Sequence, residues 1–424
     1  MAQAATATGT AGAQATGGVA GNYYLRVQIG SQDILTNPQS FYALDVVEYI
    51  DRMLPAFTIT FRDPTGFLTN KLFIDKSYST MTLVFSNTVD ATKSKDMKFR
   101  IYRRFPASYT GVANTITMTG LLDVPGLFSP TWQRGWNKKT ISSILSQLAT
   151  EMKIQNKDID TFTEPISLVQ PNWSNATLLR YLASRVINSN RDGGMFAFID
   201  TYAASTTNSK WAKGSARLTF KSLNSFLKQP SKYTFQVTKE PPNNVMPIYN
   251  FEGVDNFELV NIMGVEKQRY NYFDYDTGKQ VDDELVLQDE EFKSLSKYIA
   301  CDTALSEDGL SQDNCGRTNE LVPDFEPVMR GKYFKKVNTL VKQWITTRGV
   351  TDIRCGDIIY IASAPPDVSQ MMNYQYTGYW MVERVVHHIS STYMTKLLIT
   401  RPGIDTDQKT TLLKATNPIG VKSK

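Results

Sequence analysis

The sequence predicts a mainly β protein that carries an α+β insert. Three observations predict this class: period-two alternation of apolar and polar residues through 22–128, a switch to the helical apolar period after Pro130, and a return to short alternating runs from about Pro241. At 424 residues the chain is long enough for about two to four domains with buried cores. Hydrophobic residues at 41% and charged residues at 21% are ordinary for a globular protein, while 11% aromatic residues, mostly Tyr and Phe, suit strands and interfaces.

Residues 1–21 are small and uncharged and read as a flexible arm, without the basic start and apolar stretch of a signal peptide. In 22–128, Leu25, Val27 and Ile29 alternate with Tyr24, Arg26 and Gln28, and Phe57, Ile59 and Phe61 with Thr58, Thr60 and Arg62. Asp63-Pro64-Thr65-Gly66 supplies a turn, and further strands are predicted at 81–85, 97–103 and 115–121. Such short strands between turns imply a barrel or sandwich. The basic stretch 93–104 reads as a solvent face or a charged subunit contact.

A mixed α/β unit is expected over 129–240. Thr140 is a helix N-cap, and Ile141, Ile144, Leu145, Leu148 and Met152 form one apolar stripe behind it. A second helix starts near Ser174-Asn175, with Leu178, Leu179, Leu182, Ala183 and Val186 as its stripe. Asp192-Gly193-Gly194 closes that unit, and the run from Met195 to Asp200 reads as a buried strand.

The second β region, 241–403, opens on a Pro/Asn-rich linker. Its expected elements are a strand at 261–267, a turn at Asp276-Thr277-Gly278, a helix over 284–300 and a polar acidic loop over 301–328. Strands at 337–346, 358–362, 378–388 and 393–400 follow, and 404–424 reads as a tail.

Residues for catalysis are scarce. His387 and His388 are the chain's two histidines, and neighbours on a strand point to opposite faces, which argues against a shared substrate or metal. A phosphate-cradling Gly-Lys loop, a nucleophile elbow and zinc-type spacing are all missing, so no enzyme activity, cofactor or metal is expected. Trp132 and Trp136 flank Gly135 in a pattern that suits a sugar- or base-stacking platform, but packing at a domain junction fits better. The odd set Cys301, Cys315 and Cys355 points to synthesis in a reducing cytoplasm, with a Cys301–Cys315 bridge as the alternative. No run of about 18 apolar residues is present, so no membrane span is expected.

Charge is unevenly spread. Residues 274–326 hold 15 acidic and 4 basic residues, a local net of −11 that leaves +16 on the remainder. A solvated acidic surface is the plain reading. The sharper one is a channel lining that repels phosphate, for which Asp282, Asp283, Glu284, Asp289, Glu290 and Glu291 are the candidates.

Two stretches resemble phage baseplate hub proteins. In the first, the helix after Thr140 is followed by an extended segment holding Gln170, Ser174, Leu179, Leu182 and Ala183, then by the strand after Gly194. In the second, Gly356-Asp357 leads into a strand, Gly378 starts the next, and His388 precedes the hairpin to 393–401. The resemblance, which extends to the trimeric hub of T-even phages and the N-terminal part of type VI secretion spike proteins, implies two tail-tube-like β-barrels, 22–128 and 241–403, around the helical α/β domain. It also implies a homotrimeric, pseudo-sixfold ring in the baseplate of a contractile-tailed virion, assembled in the host cytoplasm. The implied partners are the tail tube protein, the central spike, baseplate wedge or other hub proteins, and passing DNA bound without sequence specificity. A tail-associated cell-wall hydrolase or a glycan-binding tail protein is the alternative.

Overall fold

The computed structural model describes residues 23–30, 32–33, 41–63, 79–87, 94–107, 114–129, 133–201, 214–237, 244–255, 267–274, 278–286, 301–303, 312–315, 326–362 and 376–405. The class is mainly β with an α+β insert, as the periodicities predict. The first region gives β1 (Tyr24–Ile29), β2 (Gln32–Asp33), β3 (Phe41–Tyr49), β4 (Ala56–Asp63), β5 (Thr80–Ser86), β6 (Lys95–Ala107) and β7 (Asn114–Leu122). The insert gives β8 (Arg134–Thr140), α1 (Ile141–Glu151), β9 (Asn156–Ile159), β10 (Pro165–Gln170), α2 (Asn175–Ala183), β11 (Phe196–Thr201), β12 (Ala216–Lys221) and α3 (Leu223–Leu227). There follow β13 (Ser231–Gln236), β14 (Val245–Pro247), β15 (Asn250–Asp255), β16 (Lys267–Asp274), β17 (Lys279–Val286), β18 (Cys301–Thr303), β19 (Gln312–Cys315) and α4 (Glu326–Val337). The last elements are β20 (Val341–Arg348), β21 (Ile358–Ile361), β22 (Gly378–Ile389), β23 (Tyr393–Arg401) and β24 (Gly403–Asp405).

The two β regions share one 14-stranded sheet. One half runs β3-β4-β7-β6-β5-β1-β2, and the other is built from β13, β14, β15, β20, β21, β22 and β23. The long strand β22 joins them. Its first residues pair with β21, and Arg384–Ile389 pair with β3, while β23 lies along its other edge. Two further contacts tie the halves: the Tyr23 hydroxyl donates to the Ser390 carbonyl at 2.6 Å, and Asn87 Nδ2 donates to the Gly349 carbonyl at 3.0 Å.

In the insert, both predicted helices form where their caps stand. Thr140 Oγ1 accepts from the Ser143 amide and Ser174 Oγ from the Thr177 amide, which satisfies donors that a helix start leaves unpaired. The apolar stripes are buried, Leu145, Leu148, Leu178, Leu179 and Leu182 completely so. Gln170 of the hub-like segment is sealed beneath α2; it accepts from Arg134 Nε at 2.7 Å and donates to the Trp173 carbonyl at 2.8 Å. The strand β11 is a wall between two cores. Phe196 and Phe198 belong to the core of the second half, and Ile199 to the core shared by the first half and the insert.

Four expectations are corrected, and a fifth, the strand at 261–267, falls almost wholly outside the described residues. The first residues of the expected 284–300 helix are in β17, because 281–286 pairs with β16 across the turn at Gly278; 287–300 lies outside the described residues. The expected strand at 261–267 lies outside them too, except Lys267, where β16 begins. The 301–328 segment is not all loop: β18 pairs with β24, β19 pairs with β16, and α4 begins at Glu326. Residue 337 therefore ends a helix rather than opening a strand, and the expected tail begins with a paired strand. Pro327 within the first turn of α4 and Lys335 and Lys336 in its last are the local signals for that helix.

Backbone-to-backbone contact fixes α4 against the insert. A Cβ on Gly331 would lie 2.2 Å from the Gly193 carbonyl group, and one on Gly193 would lie 2.3 Å from the Pro327 oxygen. Replacement Gly331→Ala is expected to lower unfolding free energy by about 3 kcal/mol in chemical denaturation, since neither backbone can yield. A loss under about 0.5 kcal/mol would show that the crossing is loose.

Candidate functional site

Charged side chains meet where the two sheet halves and the insert converge. Glu48 on β3, Lys95 on β6 and His387 on β22 sit at inward-facing positions of their strands, and none is more than 2% exposed. Lys95 Nζ pairs with Glu48 Oε1, which also lies 3.3 Å from His387 Nε2. The Tyr393 hydroxyl is 2.8 Å from His387 Nδ1. Because a carboxylate only accepts, Nε2 carries the imidazole proton toward Glu48 and Nδ1 accepts from Tyr393. Phe85 packs on both the His387 and Tyr393 rings, at 5.1 and 5.7 Å between centroids. A side chain at Gly349 would lie 2.2 Å from the Tyr393 ring, so glycine there admits the phenol.

The insert adds a second buried pair, Asp200 on β11 with Arg217 on β12, joined in two parallel hydrogen bonds. Burial pushes the Asp200 carboxyl up and Arg217 opposes it. At Glu48 burial also favours the neutral acid, but Lys95 and then His387 outweigh it and hold the carboxyl down at about 2. Burial lowers His387, which leaves the ring neutral at pH 7. A carboxylate, an imidazole and a phenol in series are also the parts of a proton relay. Here each is at most 3% exposed, so no substrate reaches them, and the arrangement works as a packing device.

His388 points the other way, as expected for the next residue of a strand. It is 35% exposed and lies 2.7 Å from Asp45. Among the described residues, no group of three or more His, Cys, Asp or Glu could hold a metal ion, and no helix is long and apolar enough to cross a membrane. Trp136 is buried beneath the Arg134 guanidinium, 4.6 Å from its ring, which removes it as a stacking platform; Trp132 lies outside the described residues.

The acidic candidates are only partly in view. Asp282, Asp283 and Glu284 lie on β17, opposite Asn271, Tyr270 and Arg269 of β16, in a three-stranded sheet apart from the large one. Asp289, Glu290 and Glu291 lie outside the described residues. In the basic stretch, Lys98, Arg100 and Arg103 are exposed as expected, but Lys95 is not, because its strand parity turns it inward to Glu48. The sequence reading missed Glu48, Lys95, Asp200 and Arg217. For the first two the signal was a charge on the apolar parity of a strand: Glu48 after Leu44 and Val46, Lys95 before Met97, Phe99 and Ile101.

Two expected outcomes follow. Lys95→Met should cost about 3–5 kcal/mol of stability by stranding a buried carboxylate, and adding Glu48→Leu should recover most of it, measured as a double-mutant cycle in urea. Stability should also fall with pH. The folded value of Glu48 is about 2 against an ordinary 4.5, so its contribution is present above 4.5 and is lost as pH falls toward 2. The folded value of His387 also lies below its ordinary 6.5, so the unfolded chain takes the proton first and stability declines below 6.5. The urea midpoint should drop steadily from pH 7 to pH 3, with His387→Gln flattening the limb between pH 7 and 5; an unchanged limb in that variant would rule out the assignment.

No protein-family model matches this chain, and no curated protein matches it. Solved structures do. A tail protein from Neisseria meningitidis MC58 superposes with a TM-score of 0.56 at 10% identity, over 91% of this chain and 98% of that one. The 43 kDa tail protein of prophage MuSo2 from Shewanella oneidensis superposes with a TM-score of 0.55 at 12% identity, over 89% and 98%. A component of the E. coli type VI secretion system gives 0.49 at 8% identity, over 90% and 77%. The chain has the fold of these two tail proteins.

Proposed function

We propose that this protein is a structural hub of a phage tail baseplate: three copies form a ring whose six barrel-like units adapt a hexameric tail tube to a trimeric spike. The observation that carries this reading is the pairing of β22 with β3, which joins two curled β halves in one chain within a fold shared, nearly end to end, with two tail proteins, one of them from a prophage. One identical interface cannot serve a threefold and a sixfold partner, whereas a chain with two similar units presents six contacts from three copies. In this reading, residues 22–128 and 241–403 are the tube-like units and 129–240 is the domain between them, except that β13 at its end joins the sheet of the second unit. The hub sits in the virion baseplate of a contractile tail, against tube, spike and wedge proteins, and its work is to seed the tube, carry force to the spike and leave a lumen for DNA. Asp282, Asp283, Glu284, Asp289, Glu290 and Glu291 line that lumen and repel phosphate. No reactive residue is needed, in keeping with the sealed junction at Glu48 and His387.

Light scattering on the purified chain, alone and with its spike protein, tests the reading. The mass of three chains in either sample is the expected result. A monomer in both would remove the symmetry-adapter mechanism.

A further inference from the structure

The sheet face of the first half that points away from its core is basic and rich in threonine. Lys98, Arg100 and Arg103 of β6 and Arg62 of β4 are exposed on it, around Thr58, Thr60, Thr117 and Thr119 of β4 and β7. Thr60 and Thr117 hydroxyls bond to each other at 3.1 Å; of the acids on this face, Asp123 bonds to Arg100 at 3.1 Å, Asp45 of β3 stands opposite Thr58 beside His388, and Asp96 lies two residues before Lys98, so the cations are in excess but not alone. At one end the face runs into an open groove of about 590 Å³ beside Arg100 and Leu121, flanked by Tyr102, 62% exposed, and Phe128, 54% exposed. Large exposed aromatics beside arginine are the composition of an interface centre, and the rows of threonine and cationic side chains suit an acidic occupant.

The same chain supplies such an occupant. Residues 301–328 hold seven acidic residues and one basic residue. Within the described residues, the strands of that segment pair with β16 and β24 and with no strand of the large sheet. A chain that carries complementary charge on two separate elements makes head-to-tail contacts, and such contacts close into a ring when the rotation allows.

We infer that the β4–β7–β6 face and its Tyr102–Phe128 groove receive the acidic 301–328 segment of a second copy, forming the contact between subunits of the ring. The inference rests on the ring reading above and names its interface. Its test uses the full-length chain under the condition in which the wild type forms trimers. One variant carries Lys98→Glu, Arg100→Glu and Arg103→Glu, and the other Glu307→Lys, Asp308→Lys and Glu320→Lys. Each alone is expected to associate about ten-fold or more weakly. Combined in one chain, the two sets of substitutions restore opposite charges at every contact and should regain association, which a folding defect in either does not produce. Trimers of wild-type strength from both variants would overturn the inference and leave the hub reading standing. Failure of the combined variant to associate would overturn it as well, as would loss of double-stranded DNA binding by the first variant with its trimer intact. A wild type that stays monomeric with and without spike would instead bring down the hub reading, and this contact with it.

Discussion

The ion pair between Lys95 and Glu48 lies on the seam where β22 of one sheet half pairs with β3 of the other, with the insert's Asp200–Arg217 pair felt from the third side. Burying two opposite charges gains little net stability over an apolar pair, because desolvation takes back most of the attraction. What the pair adds is intolerance of alternatives. A slip of one residue between β22 and β3 would turn Glu48 or His387 to the wrong face and strand Lys95 in the core. Register between the halves, and hence their relative placement, is specified by these charges together with the buried Leu44, Val46, Val385 and Ile389 that share their strand parity.

Around that seam the remaining structure is arranged as three packed bodies with shared walls. Strand β11 faces a core on each side, with Phe196 and Phe198 toward one and Ile199 toward the other. Helix α4 clamps the insert through the Gly331–Gly193 crossing, while Lys335 reaches the Met195 carbonyl at 3.0 Å and covers the Phe196 ring. A body with interlocked walls resists shear between its units.

The sequence made the class legible because alternation and helical period are local signals. Helices α1 and α2 were legible down to their capping residues Thr140 and Ser174. Helix α4 was not, since Gly331 and the polar residues around it leave a weak stripe; its reason for being helical is the tertiary crossing at Gly193. For 284–286 the helix template failed because Leu285 and Val286 suit either period, and pairing across the Gly278 turn decided for strand. The junction was half visible. Charges at Glu48 and Lys95 break the apolar parity of their strands, but which partner each finds, across 47 residues, is a matter of topology. Likewise His387 and His388 were separable by parity, while the Glu48 that faces one and the Asp45 that faces the other come from β3, more than 300 residues earlier.

If the seam makes one mechanical body of the two sheet halves and the insert, the described core should melt as one. Differential scanning calorimetry of the full-length protein is the most direct measurement. The account predicts a single transition whose calorimetric and van't Hoff enthalpies agree, splitting into two when Lys95→Met removes the partner of Glu48. Two separate transitions in the wild type, unchanged by that substitution, would contradict it and make the halves independent units that merely touch.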